Sequence, residues 1–149
     1  MTTFNLSGNS SLNRELVFKI NTDVKNFQHI MPNYFKSLDI VSDDETGIVV
    51  LEKINFLGSS VKVKTKHLII PPNIHKVTML NGLLKGTSFT ERYEPTSYGT
   101  LISISVNLEI NGPLKFIPFV GRILRRKMSS VMAEFINCAE KYSAQNGLP

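Results

Sequence analysis

Tryptophan is missing from this sequence, cysteine occurs once and histidine three times. The lone Cys138 forms no disulfide within the chain, which excludes a disulfide-stapled secreted scaffold. His29, His67 and His75 match no zinc or metalloprotease spacing, even with Cys138 added, so neither a metal site nor a cofactor is expected. No nucleophile elbow, Ser/His/Asp arrangement, Walker loop or Rossmann fingerprint is found. Long apolar runs are lacking too. The longest aliphatic stretch, Ile48-Val49-Val50-Leu51, falls far short of the roughly 20 residues that cross a bilayer. The opening Met1-Thr2-Thr3-Phe4-Asn5 has neither the basic start nor the apolar stretch of a signal peptide. A soluble cytoplasmic protein is expected.

Charged residues make up only 19% of the chain and hydrophobic ones 42%, so a folded core is expected rather than disorder. The 149 residues carry no repeat, low-complexity tract or linker and read as one domain, 1–149. The net charge of +5 permits weak attraction to acidic partners without requiring any.

Hydrophobic periodicity divides the chain into three parts. Phe4-Asn5-Leu6-Ser7 alternates as a strand does. Asn13 is a candidate cap for a short helix presenting Leu16, Val17 and Ile20, and Asp23 for a second helix over 24–30 that Pro32 ends. From Phe35 to Ile110 the period is two, which predicts six strands near 35–43, 47–56, 60–70, 75–81, 85–94 and 99–110. Turn residues fill each gap, among them Leu57-Gly58-Ser59, Asn81-Gly82 and Pro95 to Gly99. These gaps are too short for parallel crossovers, so the strands form an antiparallel meander. After Gly112-Pro113 the period becomes helical. Val120, Leu124, Met128, Val131, Met132, Phe135, Cys138, Ala139 and Tyr142 share one stripe of a helix from about 118 to 144. Such a helix is roughly 40 Å long, and its apolar face needs an equally long partner. Only the covered face of the sheet offers one. A straight rod cannot touch a coiled sheet everywhere, so a cavity between them is expected, in competition with an interior filled by Phe and Met side chains.

Several stretches resemble the helix-grip superfamily of START-like and polyketide-cyclase-like domains, which includes the birch-pollen-allergen type. Leu16-Val17-Phe18-Lys19-Ile20-Asn21-Thr22-Asp23 is similar to the family's opening helix, with Glu15 directly ahead of it. Met31-Pro32-Asn33 stands where members often carry Pro-Gly, and Leu84-Lys85-Gly86-Thr87 with Gly99-Thr100-Leu101-Ile102 resembles a common hairpin. Gly121-Arg122-Ile123-Leu124 and Ala133-Glu134-Phe135 resemble the group named for the G component of carbon monoxide dehydrogenase. Asn33 departs from the pattern. So does the short hairpin at Asp43 to Gly47, which lacks a glycine-rich loop and argues against the plant-allergen branch. The resemblance implies an α+β helix-grip fold: a seven-stranded antiparallel curved sheet wrapped around a long C-terminal helix, with two short helices after strand 1. It also implies a hydrophobic or amphipathic small-molecule ligand, such as a lipid, quinone or polyketide, held without catalysis or cyclised.

Strand alternation and the helix stripe together nominate the residues against such a ligand: Val63, Thr65, His67, Phe89, Glu91, Tyr93, Ile104, Val106, Leu124, Met128, Val131, Met132 and Phe135. His67 shares a strand face with Val61, Val63 and Ile69 and offers a ligand a hydrogen bond. Glu91 is expected near the exposed end of its strand. Turned inward, it would need a partner and would form an acid/base pair with His67. No catalytic residue is assigned; a cyclase or dehydratase using His67, Glu91 or Tyr93 is the enzymatic alternative. Lys62, Lys64 and Lys66 form a basic ladder with no interleaved aromatics, so nucleic acid is not an expected partner.

One segment opposes local stability. Phe116, Ile117 and Phe119 enter the last helix beside Arg122, Arg125 and Arg126, and positive charge at a helix N-terminus opposes the macrodipole. Two readings stand. Apolar tips beside a basic cluster suit contact with an anionic membrane or acidic protein partner, as in an adaptor that brings an oxidoreductase to a membrane. Alternatively the aromatics close one end of the core.

Overall fold

The structure, a computed structural model, describes residues 2–56 and 58–148, so Leu57 of the predicted turn lies outside the described residues. Strand β1 is Thr2–Ser10, followed by helix α1 (Arg14–Thr22), a 3₁₀ turn at Val24–Asn26 and helix α2 (Phe27–Ile30). Six strands follow: β2 (Phe35–Asp44), β3 (Gly47–Phe56), β4 (Ser59–Ile70), β5 (Ile74–Met79), β6 (Ser88–Thr96) and β7 (Gly99–Leu108). A 3₁₀ turn at Gly112–Phe116 leads into helix α3, Val120–Gln145.

The seven strands form one antiparallel sheet in the order β1-β7-β6-β5-β4-β3-β2. Short turns allow only neighbour pairing from β2 to β7. Strand β1 then takes the free edge of β7, with Thr2 opposite Leu108 and Ser10 opposite Thr100. The pairing runs the full length of β1, which is why the strand extends beyond the predicted 4–7. Strand β6 begins three residues later than its sequence pattern indicates. Residues 83–86 form a turn in which Gly86 adopts a positive φ of 92°, a conformation that suits glycine and breaks the ladder. Strand β5 stops at Met79 and β7 at Leu108, two residues short of expectation in each case.

Asn13 caps α1 as expected, its side chain accepting from Leu16 N at 2.9 Å. Asp23 makes no side-chain cap bond, contrary to expectation; the turn there is held by Asn26 N donating to the Asp23 carbonyl. Helix α3 has 26 residues, hence a length of about 39 Å, and lies along the concave side of the sheet. Its buried positions are Leu124, Ile136, Ala139 and Ser143. Full burial of a side chain such as Leu124 is worth about 1.5–3 kcal/mol. Gly8 in β1 lets the helix approach closely: a Cβ there would lie 2.7 Å from Ile136 Cδ1 and 2.8 Å from Met132 Cε. At the other end of the sheet, Val24, Phe27, Ile30, Met31 and Phe35 pack with Val50 and Ile54.

The core divides into two clusters. One joins β1, β6 and β7 to α3, and the other joins α2 and β2 to β4 with the C-terminal half of α3. Between them the side chains of sheet and helix do not meet. Among the described residues no helix is long and apolar enough to cross a membrane.

Candidate functional site

The gap between the clusters is a cavity of about 440 Å³, within the range of small-molecule sites, about 300–1,000 Å³. Helix α3 supplies Leu124, Met128, Val131, Met132 and Phe135, together with Ile136, which the sequence stripe had missed. The sheet supplies Val63, Phe89, Ile104 and Val106, and also Thr65, His67, Glu91 and Tyr93. Every residue nominated against a ligand thus lies on the cavity wall. The exposed lining residues Ser59, Val61, Lys62, Gly82 and Leu83 mark where the cavity reaches the surface, near Leu114 of the second 3₁₀ turn. Val61 is therefore at the mouth, not in the core, and Lys62 leaves the outer ladder to join it.

One wall is polar, and it is continuous. Inward positions on β3, β4, β5 and β6 place Glu52, Thr65, His67, His75, Glu91 and Tyr93 in a single strip. Thr65 Oγ1 donates to Glu52 Oε1 at 2.7 Å, and His67 Nε2 lies 3.0 Å from Thr65 Oγ1 and 3.2 Å from Glu52 Oε1. His67 Nδ1 meets His75 Nε2 at 2.9 Å with the rings stacked. His75 Nδ1 then reaches Glu91 Oε1 at 2.7 Å, and the Tyr93 hydroxyl donates to that same oxygen at 2.9 Å. Asn21 of α1 closes the chain, its Nδ2 donating to the Tyr93 hydroxyl at 3.1 Å. Cross-strand register explains the run. His75 sits directly opposite Glu91, while His67 and Thr65 are two apart on one strand and share a face.

The expected position of Glu91, near an exposed strand end, is corrected by this arrangement. It faces the cavity, and its partner is His75, with His67 one step further along. The pairing of Glu91 with His75 repays the cost of turning a carboxylate inward. His75, Glu52 and Asn21 were not among the nominated residues. A signal existed for two of them: Glu52 alternates in phase with Val50 and Ile54, and His75 with Val77 and Met79.

Burial, together with the neighbouring Glu91 charge, holds the Tyr93 phenol well above its ordinary value, so it remains a donor. Burial likewise raises the Tyr34 phenol, with the Glu52 and Glu134 charges adding to the effect. Cys138, raised by burial and by Glu134, is a poor thiolate. Among the described residues no group of three or more His, Cys, Asp or Glu is placed to hold a metal ion.

The aromatics at the start of α3 do not close the core. Phe116 and Phe119 are 78% and 71% exposed, and Ile117 and Ile123 are about half exposed. Arg122, Arg125 and Arg126 are exposed as well. Arg122 stacks over the Phe119 ring at 5.3 Å, and Arg125 over Phe4 at 5.5 Å. Phe119 holds a left-handed φ of 60° and contributes no side-chain cap to α3.

An antiparallel sheet gripping one long helix over an internal cavity is the helix-grip fold. Solved structures confirm the match. The Zhui aromatase/cyclase from Streptomyces sp. R1128 superposes with a TM-score of 0.82 at 12% identity, covering 99% of each chain. A START superfamily protein from Mycobacterium smegmatis gives 0.77 at 14% identity, covering 96% of this chain and 97% of its own. The Ara h 8.0201 structure gives 0.73 at 18% identity, covering 94% and 98%. At these identities the likeness is one of fold. No family model and no curated protein matches the sequence.

Proposed function

We propose that this protein binds one hydrophobic or amphipathic small molecule, of the lipid, quinone or polyketide kind, in the cavity between sheet and α3, without covalent chemistry. The observation that carries the reading is the cavity of about 440 Å³ with an apolar helix wall. Affinity would come from apolar burial at about 25 cal/mol per Å², with the polar strip fixing orientation. Met128 and Met132 line the helix side and adapt to differently shaped guests. The shared fold of ligand-binding and aromatase/cyclase proteins supports the same reading. Native mass spectrometry with organic extraction of the purified protein tests it: a bound small molecule is expected. An empty protein that also fails to bind an environment-sensitive dye would overturn it.

Entry is proposed from a membrane surface. Phe116, Ile117 and Phe119 project beside Arg122, Arg125 and Arg126, the combination that partitions into an anionic interface. The adjoining Leu114 and Leu83 reach the cavity. Co-sedimentation with phosphatidylserine vesicles should be strong at low salt and weaker at high salt, as screening dictates. Equal sedimentation with neutral vesicles at both salt levels would refute it.

A second reading, acid–base catalysis of a cyclase or dehydratase type, is favoured by the presence of His67, Glu91 and Tyr93 in one hydrogen-bonded strip on the wall. Activity on a polyketide-like substrate that falls sharply in both His67→Ala and Glu91→Gln would establish it. Activity unchanged in both variants would dismiss it.

A further inference from the structure

The polar strip constrains the chemistry of whatever occupies the cavity, and the constraint follows from counting protons. Three hydrogen bonds link Glu52 to His67, His67 to His75 and His75 to Glu91. Each bond needs one proton between its two heavy atoms and has room for only one. While both Oε2 atoms carry no proton, two carboxylates and two imidazole rings sharing three bridging protons sum to a net charge of −1, whichever bridging atom holds each proton. Moving any bridging proton across its bond leaves the total unchanged.

Among the described residues no further cation pairs with these carboxylates. The ion pairs of Glu52 and Glu91 are those with His67 and His75, already counted, and no lysine or arginine among the described residues pairs with either carboxylate. Glu52 is 5% exposed, and burying an uncompensated charge is costly. The hydroxyl protons are committed as well: Thr65 donates to Glu52 and Tyr93 to Glu91. Every hydrogen bond that the described residues make to the two carboxylates falls on Oε1, so each Oε2 keeps its lone pairs. Both residues line the cavity. The wall therefore presents acceptors and one net negative charge to an otherwise apolar space.

We propose that the cavity is built for a cationic amphiphile, a protonated amine whose head lies against Glu52 and Glu91 and whose apolar body lies along α3. The inference rests on the cavity-binding reading and adds the sign of the head group to it. It runs against the molecule's overall charge, because a surface of +5 favours anions.

The test is displacement of a neutral naphthylamine dye at pH 7 by three probes of equal chain length: dodecylammonium, dodecanol and dodecanoate. Dodecylammonium should bind at least about tenfold more tightly than dodecanoate, the size a charge-assisted hydrogen bond supplies. In Glu91→Gln or Glu52→Gln the ratio should fall to within about threefold. Equal or tighter binding of dodecanoate by the wild-type protein overturns the proposal and leaves the cavity-binding reading standing. A preference for dodecylammonium that persists undiminished in both variants also overturns it, because the charge responsible would lie elsewhere. If none of the three probes displaces dye, or no dye binds, the cavity-binding reading fails and this inference with it. Should the glutamine variants fail to fold, the wild-type comparison alone decides.

Discussion

Replacing Val106 by phenylalanine separates an open interior from one that merely lacks contact between two clusters. Val106 sits two residues before the end of β7, opposite Phe4 on β1 and Phe89 on β6, and is 3% exposed while lining the cavity. Phenylalanine exceeds valine by about 50 Å³, and cavity volume is worth about 24 cal/mol per Å³, so filling that much should stabilise the fold by about 1 kcal/mol. For a chain of this size the gain corresponds to a rise in Tm of about 2–4 °C. The added ring takes only a fraction of the 440 Å³, yet it occupies space that a bound dye would use, so dye affinity should fall at the same time. Urea unfolding and a dye titration on the same preparation read both quantities. Destabilisation by more than about 2 kcal/mol would refute the reasoning, because overpacking has that signature and needs a space already filled by the protein.

Three other outcomes follow from local geometry. A Cβ at Gly99 would collide with the Ser10 carbonyl oxygen, and its φ of 151° disfavours any side chain, so Gly99→Ala should lower stability by at least about 2 kcal/mol in urea unfolding. Phe119→Gly relieves a left-handed residue worth about 1–2 kcal/mol and adds unfolded-state entropy worth about 0.5–1 kcal/mol, for a net gain of about 0.5 kcal/mol. The same variant should lose vesicle binding, and a lowered Tm would count against the strain. Tyr93 and Tyr34 are both held above the ordinary phenol value of 10.0. A folded-state value above the unfolded one gives stability that is complete below about pH 10 and declines as the pH rises past it. Phenolate absorbance should therefore leave two of the four tyrosines un-ionised until alkaline unfolding releases them.

The sheet was legible because its gaps are short. Five connections with no room for a crossover leave antiparallel neighbours as the only arrangement, and the leftover strand has one edge to join. Helix α3 was legible from its stripe. Strand limits were less so, since the turn at 83–86 carries the buried Leu84 and reads locally as strand. The apolar half of the cavity wall followed directly from alternation. The polar half did not. Glu52 and His75 gain their meaning from neighbours 15 and 16 residues away, His67 and Glu91 respectively, and such pairings exist only once the register is known. A glutamate alternating with Val50 and Ile54 otherwise reads as a break in a hydrophobic pattern. The exposed Phe116 and Phe119 were visible as an oddity in the sequence, and the structure removes the alternative that they plug the core.

The pairing of β1 with β7 sets an order of events in synthesis. Residues 2–10 leave the ribosome some ninety residues before their strand partner β7, which begins at Gly99. While the residues between them are made, β1 is an orphan, with Phe4 and Leu6 uncovered and no hydrogen-bonding mate. Contacts across so many residues close slowly. Until they close, β7 offers a bare border to any extended chain nearby. A nascent copy is therefore most vulnerable to strand exchange with a sister molecule in the interval between completing β7 and recovering its own beginning.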